Sequence, residues 1–554
     1  MTLKTRIKIC GLLCFIPAIA LFARLFYLQT FRHGELTTKA EKRIYTQTQR
    51  DTLRGRILDK NGIVLAESLR TYAVALSKKN VAKKEPIFAA LADTLNISKE
   101  DLRTEWDARK NFFYVRKDVT PMEYEELEKR ISKEHLTGLE IEPQYTRIYP
   151  FDGIAQDIIG ATNSRNTGLS GIELMYNKTL SEETKSQRVK RARKGGIIYD
   201  KSQDFVPEIA DIYLTLDALG QYYAESTIKE YATKYKVNSA FVIVQEPQTG
   251  NILAAASYPS KDGLSLPFQF TYEPGSTFKT IGAAAALDSG NVDMNSTFDM
   301  ENNKWKVTGI TIKDHVASKK PILTLSEVME VSSNIGAGKV AYNMGAKTLY
   351  SYLKKFGFGI KTNVDFLGES GGILREYTRW QPIDTAKAGY GYTVSVTGAQ
   401  LVTAYSALAN DGVLMQPHLI DRIKYANGEE EFLAEPVKVR RVVSSDTAKK
   451  VKTLLENVVS KGTGMPARIK GYTVAGKTGT TEKYAGGGKY ATSSHIASFC
   501  GFVPAANPRF TILVVLDQPE RALFGAASAN IFAEIATKFL TLYSVQPDQE
   551  NYES

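Results

Sequence analysis

Three short stretches hold the residues whose types and spacing could do chemistry. In "TYEPGSTFKT", residues 271–280, Ser276 stands three positions before Lys279, after a Pro-Gly break and ahead of the alanine-rich run "IGAAAALDSG". If that run is a buried helix, positions three apart share a face and the lysine amine comes within reach of the serine hydroxyl. A serine hydroxyl is a weak nucleophile until a neighbouring base takes its proton. A lysine is such a base only where burial or nearby cations lower its pKa. The helix start adds unpaired N–H groups and a positive dipole end, which suit an oxygen gaining negative charge. Alone the pattern is weak, because Ser-x-x-Lys arises by chance about twice in a chain of this length. A serine at a helix start is as readily a simple N-cap.

Two further stretches change that reading. "VMEVSSNIGAG" carries Ser332 and Asn334 as Ser-x-Asn, by itself ordinary turn chemistry. "AGKTGT" carries Lys477, Thr478, Gly479 and Thr480 at the end of a predicted strand. That tetrapeptide is expected by chance in about one chain in a hundred. A glycine in a strand lets another backbone approach closely, and a lysine with two hydroxyls beside it is a receptor for a peptide carboxylate. The three patterns follow one another at intervals of 56 and 145 residues. In that order they are the set shared by penicillin-binding proteins and class A β-lactamases. The chain therefore resembles the penicilloyl serine transferases.

The elements that must position these residues are legible in outline. From about residue 206 the chain reads as a strand and long helix, then two strands around the Pro/Gly turn in "SAFVIVQEPQTGNILAAASYP". The Ser-x-x-Lys helix and a mainly helical stretch follow, then the "YTVAGKTGT" strand, a Gly-rich loop, two apolar strands and a closing helix. This order predicts an antiparallel sheet covered by helices, within an α+β multidomain chain. Its 554 residues and ordinary globular composition leave room for two or three folded units. Earlier, "RGRILDKNGIVLAES" (54–68) reads as a hairpin, and residues 80–140 alternate amphipathic helices with short apolar runs as a small α/β insert.

Charge and the N-terminus set the compartment. Of the formal charge of +11, residues 1–60 supply +8, beside an apolar segment rather than on a folded domain. That distribution argues against a nucleic-acid partner. The second basic cluster, "RVKRARK" at 188–194, reads as a solvated hairpin or loop. Ile9–Leu28 spans 20 residues with Arg24 its only charge, enough to cross a bilayer core. Lys4, Arg6 and Lys8 precede it and predict an N-terminus in the cytoplasm with the bulk outside. A cleaved signal peptide is the rival reading, but "LFYLQ" prolongs the apolar run past any small-residue cleavage site. Cys10, Cys14 and Cys500 suggest no disulfide framework, and the five scattered histidines suggest no metal site.

The pedestal sequence narrows the resemblance to the class B penicillin-binding proteins, the monofunctional transpeptidases. "RGRILDKNGIVLAES", Arg147-x-Tyr149-Pro150, Gly168 and "SGIE" at 170–173 look like their membrane-proximal module. "LTLDALGQ", "EPGSTFK", "LTLSEVMEVSSN" and "GYGYTVSVTGAQLVTAYSALANDG" look like their catalytic domain, in the right order. The 17 residues from Pro259 to Ser276 are fewer than many relatives have, and Asn530 stands where relatives often carry proline. The resemblance implies a cytoplasmic tip and transmembrane anchor at 1–31, and a dimerisation-like pedestal at 32–205 with an insert at about 70–142. It implies a transpeptidase domain at 206–545 and a polar tail at 546–554. It further implies a bacterial inner-membrane enzyme that crosslinks peptidoglycan stem peptides at D-Ala-D-Ala without metal or cofactor and is acylated by β-lactams. Ser276 would be the nucleophile and Lys279 its base. Ser332 would pass a proton to the leaving D-alanine and Asn334 would hold Lys279 and the substrate amide. Lys477, Thr478, Gly479 and Thr480 would form the carboxylate-gripping strand, and the N–H groups of Ser276 and Thr480 the oxyanion hole. Membrane partners would include a SEDS-type glycan polymerase. The compact pedestal favours a division-associated over an elongation-type enzyme. A non-turnover β-lactam sensor or scaffold, or a D,D-carboxypeptidase, is the alternative.

Overall fold

The computed structural model describes residues 2–48, 53–181, 187–191, 197–198, 209–486, 489–520 and 525–549. The chain forms two compact units. One comprises Leu53–Leu69, Thr146–Ser181 and Glu208–Ser554; the other comprises Met1–Thr52, Arg70–Tyr145 and Glu182–Pro207.

The first unit contains all three motifs and is organised around five antiparallel strands. The elements that frame the motifs, in chain order, are α1 (Ala218–Tyr235), β1 (Ser239–Gln245), β2 (Ile252–Tyr258), α2 (Lys279–Asp288), α3 (Leu325–Glu330) and α4 (Asn334–Met344). Next come α5 (Gly398–Ala409), α6 (Ser445–Lys461), β3 (Ala475–Gly486), β4 (Lys489–Val503), β5 (Phe510–Asp517) and α7 (Ala526–Leu542). The sheet order is β2-β1-β5-β4-β3, so among the described residues β3 is an edge strand paired with β4. Side chains alternate across a strand, and here both faces are covered. Phe241, Ile243, Leu513 and Val515 point into the larger core with α2 and α5. Val242, Val244, Ile512 and Val514 point into a second core with α1 and α7. Coverage on both sides is why these strands read as unbroken apolar runs. Every residue of α5 is buried, as are Lys279–Ala286 of α2.

The same unit includes the predicted hairpin. Ile57–Leu58 pairs antiparallel with the start of Val64–Ser77. Asp59 Oδ1 closes the turn between them by accepting from the N–H groups of Asn61 and Ile63, both at 2.8 Å. Beside it lies a buried charge cluster. Glu173 accepts from Arg54 Nε on one carboxylate oxygen and from Arg147 Nε on the other, the latter at 2.7 Å. All three residues are buried.

In the other unit, Leu3–Thr30 forms one helix of 28 residues. Among the described residues it is the one helix long and apolar enough to cross a membrane. Helix His33–Ile44 follows, and strand Tyr45–Thr48 pairs with Gln187–Arg191. Residues 192–194, the rest of the basic cluster, fall outside the described residues. So do 487–488 of the Gly-rich loop, the boundary expected near 205, and 550–554 of the tail. Within Arg70–Tyr145, helices Lys84–Leu95, Lys99–Ala108 and Pro121–Glu134 pack around Phe88, Leu91, Phe113 and Leu127.

Candidate active site

Ser276 does not lie on α2 itself. Gly275, with φ +56°, turns the chain into a single 3₁₀ turn, Gly275–Phe278, and the α-helix begins at Lys279. In a 3₁₀ turn residues three apart eclipse, so serine and lysine keep a common side. The N-cap alternative is not realised, because no side-chain cap bond closes this turn. The turn is pinned from below instead. Thr277 Oγ1 donates to the Pro274 carbonyl at 2.8 Å, and buried Tyr405 of α5 donates its hydroxyl to the Thr277 carbonyl at 2.6 Å.

Two glycines bring β3 against this turn. A Cβ on Gly479 would stand 2.3 Å from Ser498 Oγ, 3.0 Å from Thr277 Cγ2 and 3.1 Å from the Pro274 carbonyl oxygen. A Cβ on Gly275 would stand 2.1 Å from Thr481 Oγ1. Only bare backbone on both sides lets the edge strand and the serine turn meet, which is the close approach expected of a strand glycine. Half-buried Ser276 and Thr480 border the cleft between them.

The two motif lysines converge on one hydroxyl. Lys279 Nζ lies 3.2 Å from Ser332 Oγ, 2.6 Å from the Ser332 carbonyl oxygen and 2.8 Å from Asn334 Oδ1. Lys477 Nζ donates to the same Ser332 Oγ at 2.9 Å and to the Thr478 carbonyl at 3.2 Å. The lysines are 1% and 0% exposed respectively. Burial pushes the Lys279 amine well below the usual lysine range, the nearby Lys477 charge lowers it further, and Asp314 opposes both. Burial alone brings Lys477 down to about 7. The Ser276 hydroxyl is not among the hydrogen-bond partners of Lys279. The stoichiometry of Lys279 still suits a base. A neutral amine has two hydrogens and one lone pair. Two carbonyl oxygens, which only accept, can take the hydrogens and leave the lone pair for a hydroxyl.

The Ser-x-Asn turn is held by residues the sequence reading missed. Ser332 has φ +59°, a left-handed conformation that a serine adopts only under constraint. Ser333 caps α4, its Oγ accepting from Gly336 N–H at 2.9 Å. Asp314, from the loop after Ile310–Ile312, accepts from the Asn334 and Ile335 N–H groups at 2.6 and 2.9 Å and from Ser333 Oγ at 2.8 Å. Thr463 is a second omission, accepting from Thr478 Oγ1 at 3.0 Å. Neither stood at a spacing that periodicity could reveal. The arrangement as a whole offers a hydroxyl at a helix start, a buried amine of lowered basicity, a shared hydroxyl and a second buried amine on a sheet-edge strand. Those are the parts needed for acyl transfer to and from a serine on an extended peptide.

Comparison with known proteins points the same way. Residues 240–537 match the penicillin binding protein transpeptidase domain and residues 49–210 the penicillin-binding protein dimerisation domain. The chain is 30% identical to stage V sporulation protein D of Bacillus subtilis, over 100% of this chain and 88% of that protein. It is 29% identical to the peptidoglycan D,D-transpeptidase FtsI of Escherichia coli, over 98% of this chain and 92% of that one. A crystal structure of a peptidoglycan synthetase from Bifidobacterium adolescentis superposes with a TM-score of 0.71 at 25% identity, over 92% of this chain and 98% of that chain. Penicillin binding protein 2X from Streptococcus thermophilus, at 23% identity, shares the fold with a TM-score of 0.76 over 90% of this chain and 81% of that chain.

Proposed function

Since this chain belongs to the penicillin-binding proteins that carry a transpeptidase and a dimerisation domain, we propose that Ser276 is the nucleophile with which it crosslinks peptidoglycan. The enzyme is a peptidoglycan D,D-transpeptidase, a serine acyltransferase that β-lactams acylate. The observation that carries the residue assignment is the single hydroxyl, Ser332 Oγ, within hydrogen-bond reach of both buried amines.

The stem peptide lies along the open edge of β3 as an added strand, its terminal carboxylate against Lys477, Thr478 and Thr480. Ser276 Oγ attacks the carbonyl carbon of the penultimate D-alanine while the Lys279 lone pair takes its proton. The N–H groups of Ser276 and Thr480 stabilise the oxyanion. As the tetrahedral intermediate collapses, the C–N bond breaks and the leaving amine takes a proton from Ser332 Oγ. Ser332 is refilled from its lysine neighbours. Asn334 keeps the Lys279 amine turned towards the reacting serine. A neighbouring stem's amine then attacks the acyl carbon, the C–O bond to Ser276 breaks, and the amine's lost proton returns by the same relay to Ser276 Oγ. One amide is exchanged for another, so no nucleotide is consumed.

The helix Leu3–Thr30, long and apolar enough to cross a bilayer, supports a membrane-anchored enzyme. The basic residues ahead of the apolar core support an N-terminus in the cytoplasm and a catalytic unit outside it. A division role is favoured over elongation by the compact pedestal, with a SEDS-type glycan polymerase as membrane partner. Labelling with fluorescent penicillin tests the site: the wild type carries a covalent adduct on the peptide containing Ser276, and Ser276→Ala carries none. Persisting label in the variant refutes the assignment. Depletion in cells then separates the roles, filamentation marking division and rounding marking elongation.

A further inference from the structure

Three of the N–H groups at the start of helix α4 are filled by side chains, and they come from two different segments of the chain. Ser333 already caps it through Gly336. Asp314, twenty positions before Asn334, fills the two N–H groups ahead of Gly336, those of Asn334 and Ile335, and fixes the Ser333 hydroxyl as well. Its own N–H donates to Asn303 Oδ1 at 3.0 Å, which anchors the loop. The adjacent Lys313 carbonyl accepts from Asn334 Nδ2 at 3.2 Å, and this orients the Asn334 amide so that its oxygen faces Lys279. The loop thus holds Asn334 by both main chain and side chain, and with it the strained Ser332 turn.

The carboxylate is also the anion of the site. The charged groups that bear on Lys279 are Lys477 from β3 and Asp314 from this loop, with opposite signs. Lys313 and His315 flank Asp314 in the chain. Two amines share Ser332 Oγ in a buried setting, so an anion one hydrogen bond behind Asn334 biases which of them holds the proton.

We infer that Asp314 is a positioning residue of the transpeptidase reaction, seating the Ser-x-Asn turn and supplying the negative charge that sets when Lys279 can act as a base. This rests on the assignment of Ser276 and Lys279 above, and the experiment separates the two. The second-order rate of acylation by fluorescent penicillin is measured on the full-length protein from pH 5 to 10. The set is wild type, Asp314→Asn, Ser333→Ala and Ser276→Ala. Asp314→Asn keeps an oxygen for the helix N–H groups but loses the charge. Its acidic limb moves to lower pH by about 0.5–2 units, and its plateau falls about 10- to 100-fold. Ser333→Ala removes the cap and one donor to the Asp314 carboxylate but keeps its charge, so its plateau falls while its limb stays near that of wild type. An Asp314→Asn limb at the wild-type position, whatever the plateau, reduces Asp314 to a helix cap and overturns the inference. Should Asp314→Asn fail to fold, Asn303→Ala frees the loop anchor and lets the carboxylate withdraw. Its limb must then move the same way, and an unmoved limb overturns the inference equally. Label on Ser276→Ala would instead bring down the site assignment itself.

Discussion

Lys279 and Lys477, 198 positions apart in the chain, reach the same oxygen, Ser332 Oγ, at 3.2 and 2.9 Å. Two amines this buried cannot both stay charged at low cost. The fold therefore holds two buried amines whose basicity burial lowers.

The first consequence concerns stability. Lys477 is brought down to about 7 in the folded chain, while an unfolded lysine titrates near 10.4. The folded pKa is below the unfolded one, so between those pH values the unfolded chain binds more protons and stability rises with pH. Lys477→Met, which keeps the stem and drops the charge, should raise stability at pH 7 by about 1–3 kcal/mol while abolishing peptide crosslinking. The gain should shrink as pH rises from 7 towards 10. Thermal melts across that range check this; a variant less stable at pH 7 sinks the argument.

Ser332 separates geometry from chemistry. Its φ of +59° suits glycine better than serine. Ser332→Gly should therefore fold with a stability equal to or about 1 kcal/mol above wild type. The same variant loses the shared hydroxyl, so acylation should slow about 10²- to 10⁴-fold. A stable variant with unchanged acylation would show that the proton reaches the leaving group without Ser332.

Gly479 tests the approach of strand and serine. The 2.3 Å that Ser498 Oγ leaves for a Cβ can be relieved by rotating or removing that hydroxyl, but the 3.1 Å to the Pro274 carbonyl oxygen cannot. Gly479→Ala should cost about 1–3 kcal/mol and lower acylation about 100-fold. Adding Ser498→Gly should return part of the stability and little of the rate. Full recovery of the rate in the double variant would place the obstruction at Ser498 alone.

The motif residues were visible in the sequence because each motif is local, three or four consecutive positions on a turn or a strand. The apolar runs of β1 and β5 were equally readable, since both their faces are covered. What stayed hidden depends on contacts across the chain. Pro274 and Gly275 tighten the serine's helix into a 3₁₀ turn because β3 and the turn at Gly391 press on it. The left-handed Ser332 sits directly before a turn that Asp314 holds from about twenty positions away. Tyr405, which props up the serine turn, looked like one more residue of an apolar helix. Arg54, Arg147 and Glu173 were each conspicuous within their own stretches, yet no spacing joined them.

That trio supplies the last prediction. Glu173 is fully buried, with one carboxylate oxygen on each arginine, and Arg147 Nη1 also donates to the Gly55 carbonyl at 2.7 Å. Burial works against the Arg54 charge, and Glu173 is what offsets it. Removing one member of a buried ion cluster leaves the others uncompensated, at about 3–5 kcal/mol. Glu173→Ala should therefore unfold at markedly lower temperature than wild type, with two guanidinium groups left facing each other. Glu173→Gln keeps the shape and some hydrogen bonds but not the charge, and should fall between. The cluster touches no residue of the cleft, so any folded Glu173→Gln should take up fluorescent penicillin at close to the wild-type rate. A variant with wild-type stability would mean that water reaches the arginines. A stable variant with slow acylation would mean that the cluster acts on the active site rather than on the fold.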